Sequence, residues 1–227
     1  MTGVAGTAAP PALAGVGLAC LRGDRLVFAD LSFALHAGEA LILTGANGSG
    51  KSSLIRMIAG LLPPFDGHLL ADGRLVQEDP AAHRALLAYV GHQDALKLSL
   101  TVGDNLGFWA TMAGRGATGR HSVDEALAAW DLGRLSDLPA RYLSAGQRRR
   151  LALARLLVAP RRLWLLDEPT VALDRSSIAI LGDLLARHRA AGGMAVMATH
   201  ADLPVGDGRL LSLDDHAPPP AAGMSAP

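Results

Sequence analysis

The stretch Gly45-Ala46-Asn47-Gly48-Ser49-Gly50-Lys51-Ser52-Ser53 constrains this chain more than any other. The apolar run at 40–44 precedes it and reads as a buried strand, and residues 54–59 follow it and read as a helix. A G-x4-G-K-S pattern between a strand and a helix is a phosphate-binding loop. Its glycines let successive N–H groups turn inward toward phosphate oxygens, at a helix start whose dipole favours anions. Lys51 is one of only two lysines in a chain otherwise cationic through arginine. It stands where a nucleoside triphosphate needs a compact ammonium, reaching the β- and γ-phosphates, while Ser52 is placed to ligate Mg²⁺. The expected nucleotide-binding residues of the loop are Gly45, Asn47, Gly48, Gly50, Lys51, Ser52 and Ser53.

With 227 residues, half of them hydrophobic, the chain can build one large α/β domain, or one domain with a small insertion. Its 21 basic and 21 acidic residues cancel, so no bulk charge draws it to nucleic acid and no nucleic-acid partner is expected. The single cysteine, Cys20, reads as a small core residue. Residues 1–21 carry no charged side chain, but they lack a basic start and are broken by Pro10-Pro11, so they read as a tail entering a first strand rather than a signal or anchor.

Alternating strands and helices along the chain predict an α/β fold with a mainly parallel sheet core. Residues 94–142 interrupt the alternation with short helical patterns, and a helix is expected from 145 to 158. The expected organisation is a flexible tail over 1–15, a single domain over 16–213 with a helical subdomain at about 94–158, and a Pro/Ala-rich disordered tail over 214–227.

Two further motifs narrow the chemistry. Leu163-Trp164-Leu165-Leu166-Asp167-Glu168 is an apolar strand ending in acids, which sets Asp167 beside the phosphate loop as a metal-holding carboxylate. Glu168 extends past the strand end, where a carboxylate in a dry site can act as general base. Leu143-Ser144-Ala145-Gly146-Gln147 is a helix start with Ser144 as N-cap and its first N–H groups uncovered. One nucleotide cannot use two such helix starts from one face, so this loop is expected to cap a nucleotide held by a second copy of the chain.

With these motifs in place the chain resembles the ATP-binding cassette (ABC) ATPases, a class of P-loop NTPases, over nearly all of residues 16–213. The motifs stand in that family's order: Walker A at 45–52, a Q-loop at Gln93, the signature at 143–147, Walker B at 163–167 with Glu168, a D-loop at Ala172-Leu173-Asp174 and a switch histidine at His200. The resemblance implies an N-terminal antiparallel β subdomain and a homodimer sandwiching two ATP, with Mg²⁺. It implies Gln93 as a Mg²⁺ contact and as a link to a membrane partner, His200 on the γ-phosphate, and Asp174 at the dimer interface. Ser144, Gly146 and Gln147 then contact the partner-held nucleotide.

The chain departs from the family at two points. Ala145 stands where glycine is usual, and the position that usually offers adenine an aromatic ring falls near Arg22, so ATP over GTP is inferred from the family alone. Details around 89–106, 143–151 and 192–203 are similar to the ATPase subunits of cytochrome c maturation haem exporters. That likeness implies a peripheral subunit on the cytoplasmic face of a bacterial inner membrane, paired with an integral membrane permease. Other bacterial ABC transporters (lipid, drug or ion) and a soluble non-transport ABC ATPase are the alternatives. Leu96, Leu98, Leu100, Phe108 and Trp109 either line a groove for that permease or pack the insertion's own core. Arg148-Arg149-Arg150 lie largely off the apolar stripe of Leu153, Leu156 and Leu157, which predicts a solvated face.

Overall fold

The computed structural model describes residues 10–114, 119–199 and 205–218. A hairpin opens the fold, β1 (Leu13–Arg22) pairing antiparallel with β2 (Arg25–Leu35). After β3 (Ala40–Thr44) and helix α1 (Lys51–Ile58), β4 (Asp66–Ala71) joins the other edge of β1 and β5 (Arg74–Leu75) closes a four-stranded sheet in the order β2-β1-β4-β5. The short helix α2 (Pro80–Ala85) is started by Asp79, whose carboxylate accepts from the Ala82 N–H, with Pro80 in its first turn. It was not expected from periodicity, because six residues are too few to show one.

The second sheet is entirely parallel. Strands β6 (Leu87–Val90), β7 (Leu163–Asp167), β8 (Met194–Ala198) and β9 (Arg209–Ser212) join β3 in the order β6-β7-β8-β3-β9. A parallel sheet needs cover on both faces, and its central strands β7 and β8 are buried on both. On β7, Leu163 and Leu165 enter a core shared with α1 and the antiparallel sheet. The alternate residues Trp164 and Leu166 enter a second core beneath the helices. That second layer contains α3 (Val102–Met112), α4 (Gly119–Ala129), α5 (Ala145–Val158) and α6 (Arg175–Ala190). Each fully buried leucine contributes about 1.5–3 kcal/mol, so these two cores hold the ends of β3 and β7 rigidly in register.

Three boundaries differ from expectation. The helix after the phosphate loop begins at Lys51, not at 54, so the lysine is part of the helix itself. Strand β1 begins at Leu13, within the segment expected as a tail over 1–15, because Leu13 is buried and pairs with Leu35 and Ala71. The tail expected over 214–227 starts as an ordered 3-10 turn, Asp214–His216, anchored by buried Leu213.

Candidate functional site

The phosphate loop runs from the carboxyl end of β3 to the first turn of α1. Gly45, Gly48 and Gly50 all take positive φ, at 134°, 83° and 107°. Gly50 is also sterically obligatory, since a Cβ there would come within 2.8 Å of Val27 and Phe28 on β2. The Lys51 ammonium is buried and donates to the carbonyls of Gly45 and Ala46, at 2.7 and 3.0 Å. It thereby sits over the concave side of the loop as a fixed positive charge.

Strand β7 ends beside this loop, and the Ser52 hydroxyl donates to Asp167 Oδ1 at 2.8 Å. Asp167 is 1% exposed, and its Oδ2 has no hydrogen-bond partner. A buried carboxylate oxygen without a donor calls for a cation. A hydroxyl, one carboxylate and nucleotide phosphates are the hard oxygen set that suits Mg²⁺, which keeps few protein ligands. Ser52 and Asp167 therefore fit the ion. Among the described residues no group of three or more His, Cys, Asp or Glu could hold a metal ion.

Glu168 follows in a left-handed conformation (φ 48°), its N–H donating to the Ala198 carbonyl at 2.9 Å. A cavity of about 430 Å³ brings Glu168 together with Asn47, Gly48, Gly50, Lys51, Ser52 and Ser53. Arg22, Arg25 and Val27 line the same cavity. The turn between β1 and β2 thus offers a base two guanidinium groups and no aromatic ring. Arg22 was anticipated there and Arg25 was not. A guanidinium stacks on a base plane as an aromatic ring does.

Gln93 does not line this cavity; it is exposed in the bend after β6. The signature residues lie elsewhere too. Ser144 caps α5 by accepting from the Gln147 N–H, while Gln147 Oε1 accepts from the Ser144 N–H, a reciprocal capping box. Gly146 packs on the D-loop, where a Cβ would come within 2.8 Å of the Ala172 carbonyl. Asp174 caps α6, its carboxylate accepting from the Ser177 N–H and the Ser176 hydroxyl, both at 2.8 Å. These bonds hold its carboxyl down at about 2. His200 lies outside the described residues; Thr199 before it places its hydroxyl 3.5 Å from that of Thr170.

Two residues that sequence reasoning missed brace the site. The Asp214 carboxylate accepts from the Ala46 N–H at 3.0 and 3.1 Å, fastening the phosphate loop from the far end of the chain. Arg149, expected on a solvated face, is 4% exposed and points beneath the β7 exit. Its neighbours conform better: Arg148 donates to Leu143 O and Arg150 to Trp130 O, both from part-buried positions. No local signal distinguishes Asp214, but Arg149 stands four and seven positions before the buried Leu153 and Leu156, on the apolar face of the helix, where an arginine is compatible with burial if acceptors surround it.

Comparison with known proteins follows the same lines. A family model described as ABC transporter matches residues 28–171. The chain is 54% identical over 218 residues to the cytochrome c biogenesis ATP-binding export protein CcmA of Rhodospirillum rubrum, covering 95% of this chain and 92% of that protein. It is 55% identical to the protein of the same description from Paramagnetospirillum magneticum, over 88% of this chain and 93% of the other. Among solved structures, an ATP-binding subunit of an ABC transporter superposes with TM-score 0.76 at 25% identity, covering 83% of this chain and 79% of that one. An Atm1-family ABC exporter with ATP bound gives TM-score 0.78 at 26% identity, covering 92% of this chain and 38% of the exporter.

Proposed function

Because the chain belongs to the ABC transporter family, we propose that it is the ATP-binding and ATP-hydrolysing subunit of an export complex serving cytochrome c biogenesis, powering the haem export or holo-chaperone release step. The carrying observation is that Lys51, Ser52 and Glu168 line one cavity that the signature helix does not enter, with Asp167 bonded to Ser52 at its edge. The phosphate loop and Lys51 take the triphosphate, and Ser52 and Asp167 hold Mg²⁺, which neutralises phosphate charge. Glu168 accepts the proton of the attacking water. Ser144, Gly146 and Gln147 of a second copy complete the far side, so two chains close head to tail around two ATP. Asp174 on the D-loop belongs to that interface, and His200 and Gln93 join the γ-phosphate and the metal when the site closes.

A permease surface is also at hand. A cavity of about 450 Å³ lies between the turn after α1, β6, α3 and the end of α5, walled by Leu61, Leu87, Ala88, Trp109, Met112 and Ala159. Leu61, Phe108 and Met112 stand exposed at or beside its rim, an arrangement suited to receiving a cytoplasmic segment of a membrane subunit. Trp109 was expected in such a groove; Leu96, Leu98 and Leu100 do not line it, and Leu96 packs against the helical core instead. Arg155 lies over the Trp109 ring at 5.1 Å and donates to the Tyr89 carbonyl. Burial lowers its pKa to about 10, which leaves it charged at neutral pH. No helix among the described residues is long and apolar enough to cross a membrane. In this reading the groove is what holds the chain to a permease at the cytoplasmic face of the inner membrane.

Glu168→Gln tests the chemistry: ATP binding should persist and turnover fall by about 10²–10⁴-fold, with a closed dimer accumulating. Near-normal turnover would refute Glu168 as base. The cytochrome c role is tested by deleting the gene, which should abolish covalent haem attachment to c-type cytochromes until the wild-type chain, but not Lys51→Ala, is restored. Normal cytochromes in the deletion strain would count against it.

A further inference from the structure

The guanidinium of Arg149 makes five hydrogen bonds, as many as it has N–H groups. Nη2 donates to the carbonyls of Asp167 and Glu168, at 2.9 and 2.7 Å, and Nε to that of Pro169 at 3.3 Å. Nη1 donates to the Gly91 carbonyl at 2.8 Å and to the Asp94 carboxylate at 3.3 Å. Three consecutive carbonyls therefore turn toward one buried cation at the residue whose own φ is 48°. Left-handed backbone at a non-glycine residue persists only where its surroundings over-determine it. Without Arg149 the Glu168 carbonyl would keep the Val171 N–H at 3.3 Å, and a buried carbonyl left short of donors would relax the turn. The same cation grips both ends of the segment carrying Gln93, so the turn after β7 and the bend after β6 share one fastening.

We propose that Arg149 is a positioning residue for hydrolysis, aiming the Glu168 carboxylate and locking it in register with the Gln93 segment. The proposal rests on Glu168 being the base. Arg149 does not line the nucleotide cavity, so it acts through the turn and not on the substrate. A lysine cannot replace it, because three donors on one rotatable ammonium do not span acceptors from two chain segments.

The test is a double-mutant cycle on the full chain with ATP. Arg149→Gln, Arg149→Lys, Glu168→Gln and the Arg149→Gln/Glu168→Gln pair are measured for kcat, KM, nucleotide affinity and thermal melting. Arg149→Gln should lower kcat by about 10-fold or more, with KM and nucleotide affinity within about 3-fold of wild type, and Arg149→Lys should fall between. In the Glu168→Gln background the same change should add less than about 2-fold, because both act through one carboxylate. Losses that multiply, an unchanged kcat, or a kcat loss matched by lost nucleotide affinity would each overturn the proposal. If Arg149→Gln melts well below wild type, Arg149→Lys, which keeps stem and charge, carries the same cycle. Full turnover in Glu168→Gln alone sinks the base assignment, whereas multiplying losses on an inactive Glu168→Gln sink the Arg149 assignment alone.

Discussion

Ser52 Oγ donates to Asp167 Oδ1 across 2.8 Å, joining residues 115 positions apart, while Asp167 Oδ2 is buried without a donor. The pair leaves one buried carboxylate oxygen available to a cation, as the proposed Mg²⁺ site requires. Ser52→Ala and Asp167→Asn should therefore each raise the Mg²⁺ concentration needed for half-maximal ATP turnover, by about 10–100-fold. Mg²⁺ titrations at saturating ATP measure this. Equal half-saturation in wild type and Asp167→Asn would remove Asp167 from the metal site.

Gly146 leaves no room for a side chain, since a Cβ would sit 2.8 Å from the Ala172 carbonyl. Ala172 is itself left-handed, at φ 64°, so the D-loop has little freedom to retreat. Gly146→Ala should cost about 1–3 kcal/mol in urea unfolding. It should also depress turnover while leaving nucleotide binding by the isolated chain near wild type. A stability cost without a turnover loss would detach this glycine from catalysis.

Asp174 supplies a pH signature. Its carboxyl is held at about 2, first by its bonds with Ser177 and then with Ser176, against an ordinary value of 3.8. A depressed carboxylate stabilises the fold above the unfolded value and loses that contribution as pH falls through the folded one. Asp174→Ala should therefore melt below wild type at pH 5–7, and the gap should close as pH drops from about 4 toward about 2. A gap independent of pH would mean that the cap charge contributes nothing.

His188 acts in the neutral range. Its ring stacks on Trp164 at 3.9 Å and 5°, with Nε2 bonded to the Met194 carbonyl. Burial pushes its pKa below the ordinary 6.5, although the backbone bonds oppose this. The unfolded chain then binds the proton more tightly, so stability is complete above pH 6.5 and declines as pH falls below it. His188→Gln should flatten the slope of melting temperature between about pH 7 and 5. An unchanged slope would assign that dependence to another group.

Much of this was readable from local pattern. The strand before the phosphate loop, the acid-ending strand over 163–167 and the helix over 145–158 appear where apolar runs and caps placed them. Each is signalled by neighbours within a few residues: alternation, a glycine that needs positive φ, or a serine followed three positions on by glutamine. The helix α2 and the first residues of β1 escaped because a six-residue helix has no measurable period and Leu13 sits among alanines and prolines.

The sequence by itself determined a phosphate-loop pattern between a strand and a helix, with Lys51 in it, and an apolar strand ending at Asp167 with Glu168 just beyond. Tertiary structure alone decided which of three adjacent arginines is buried, that Asp214 fastens the phosphate loop, and that Arg25 joins Arg22 at the mouth of the cavity. The physical reason lies in where the partners come from. An apolar side chain is buried by its own periodicity, but a charged one is buried only when acceptors converge on it. Those around Arg149 come from segments near residues 91–94 and 167–169, which approach only after both cores have packed.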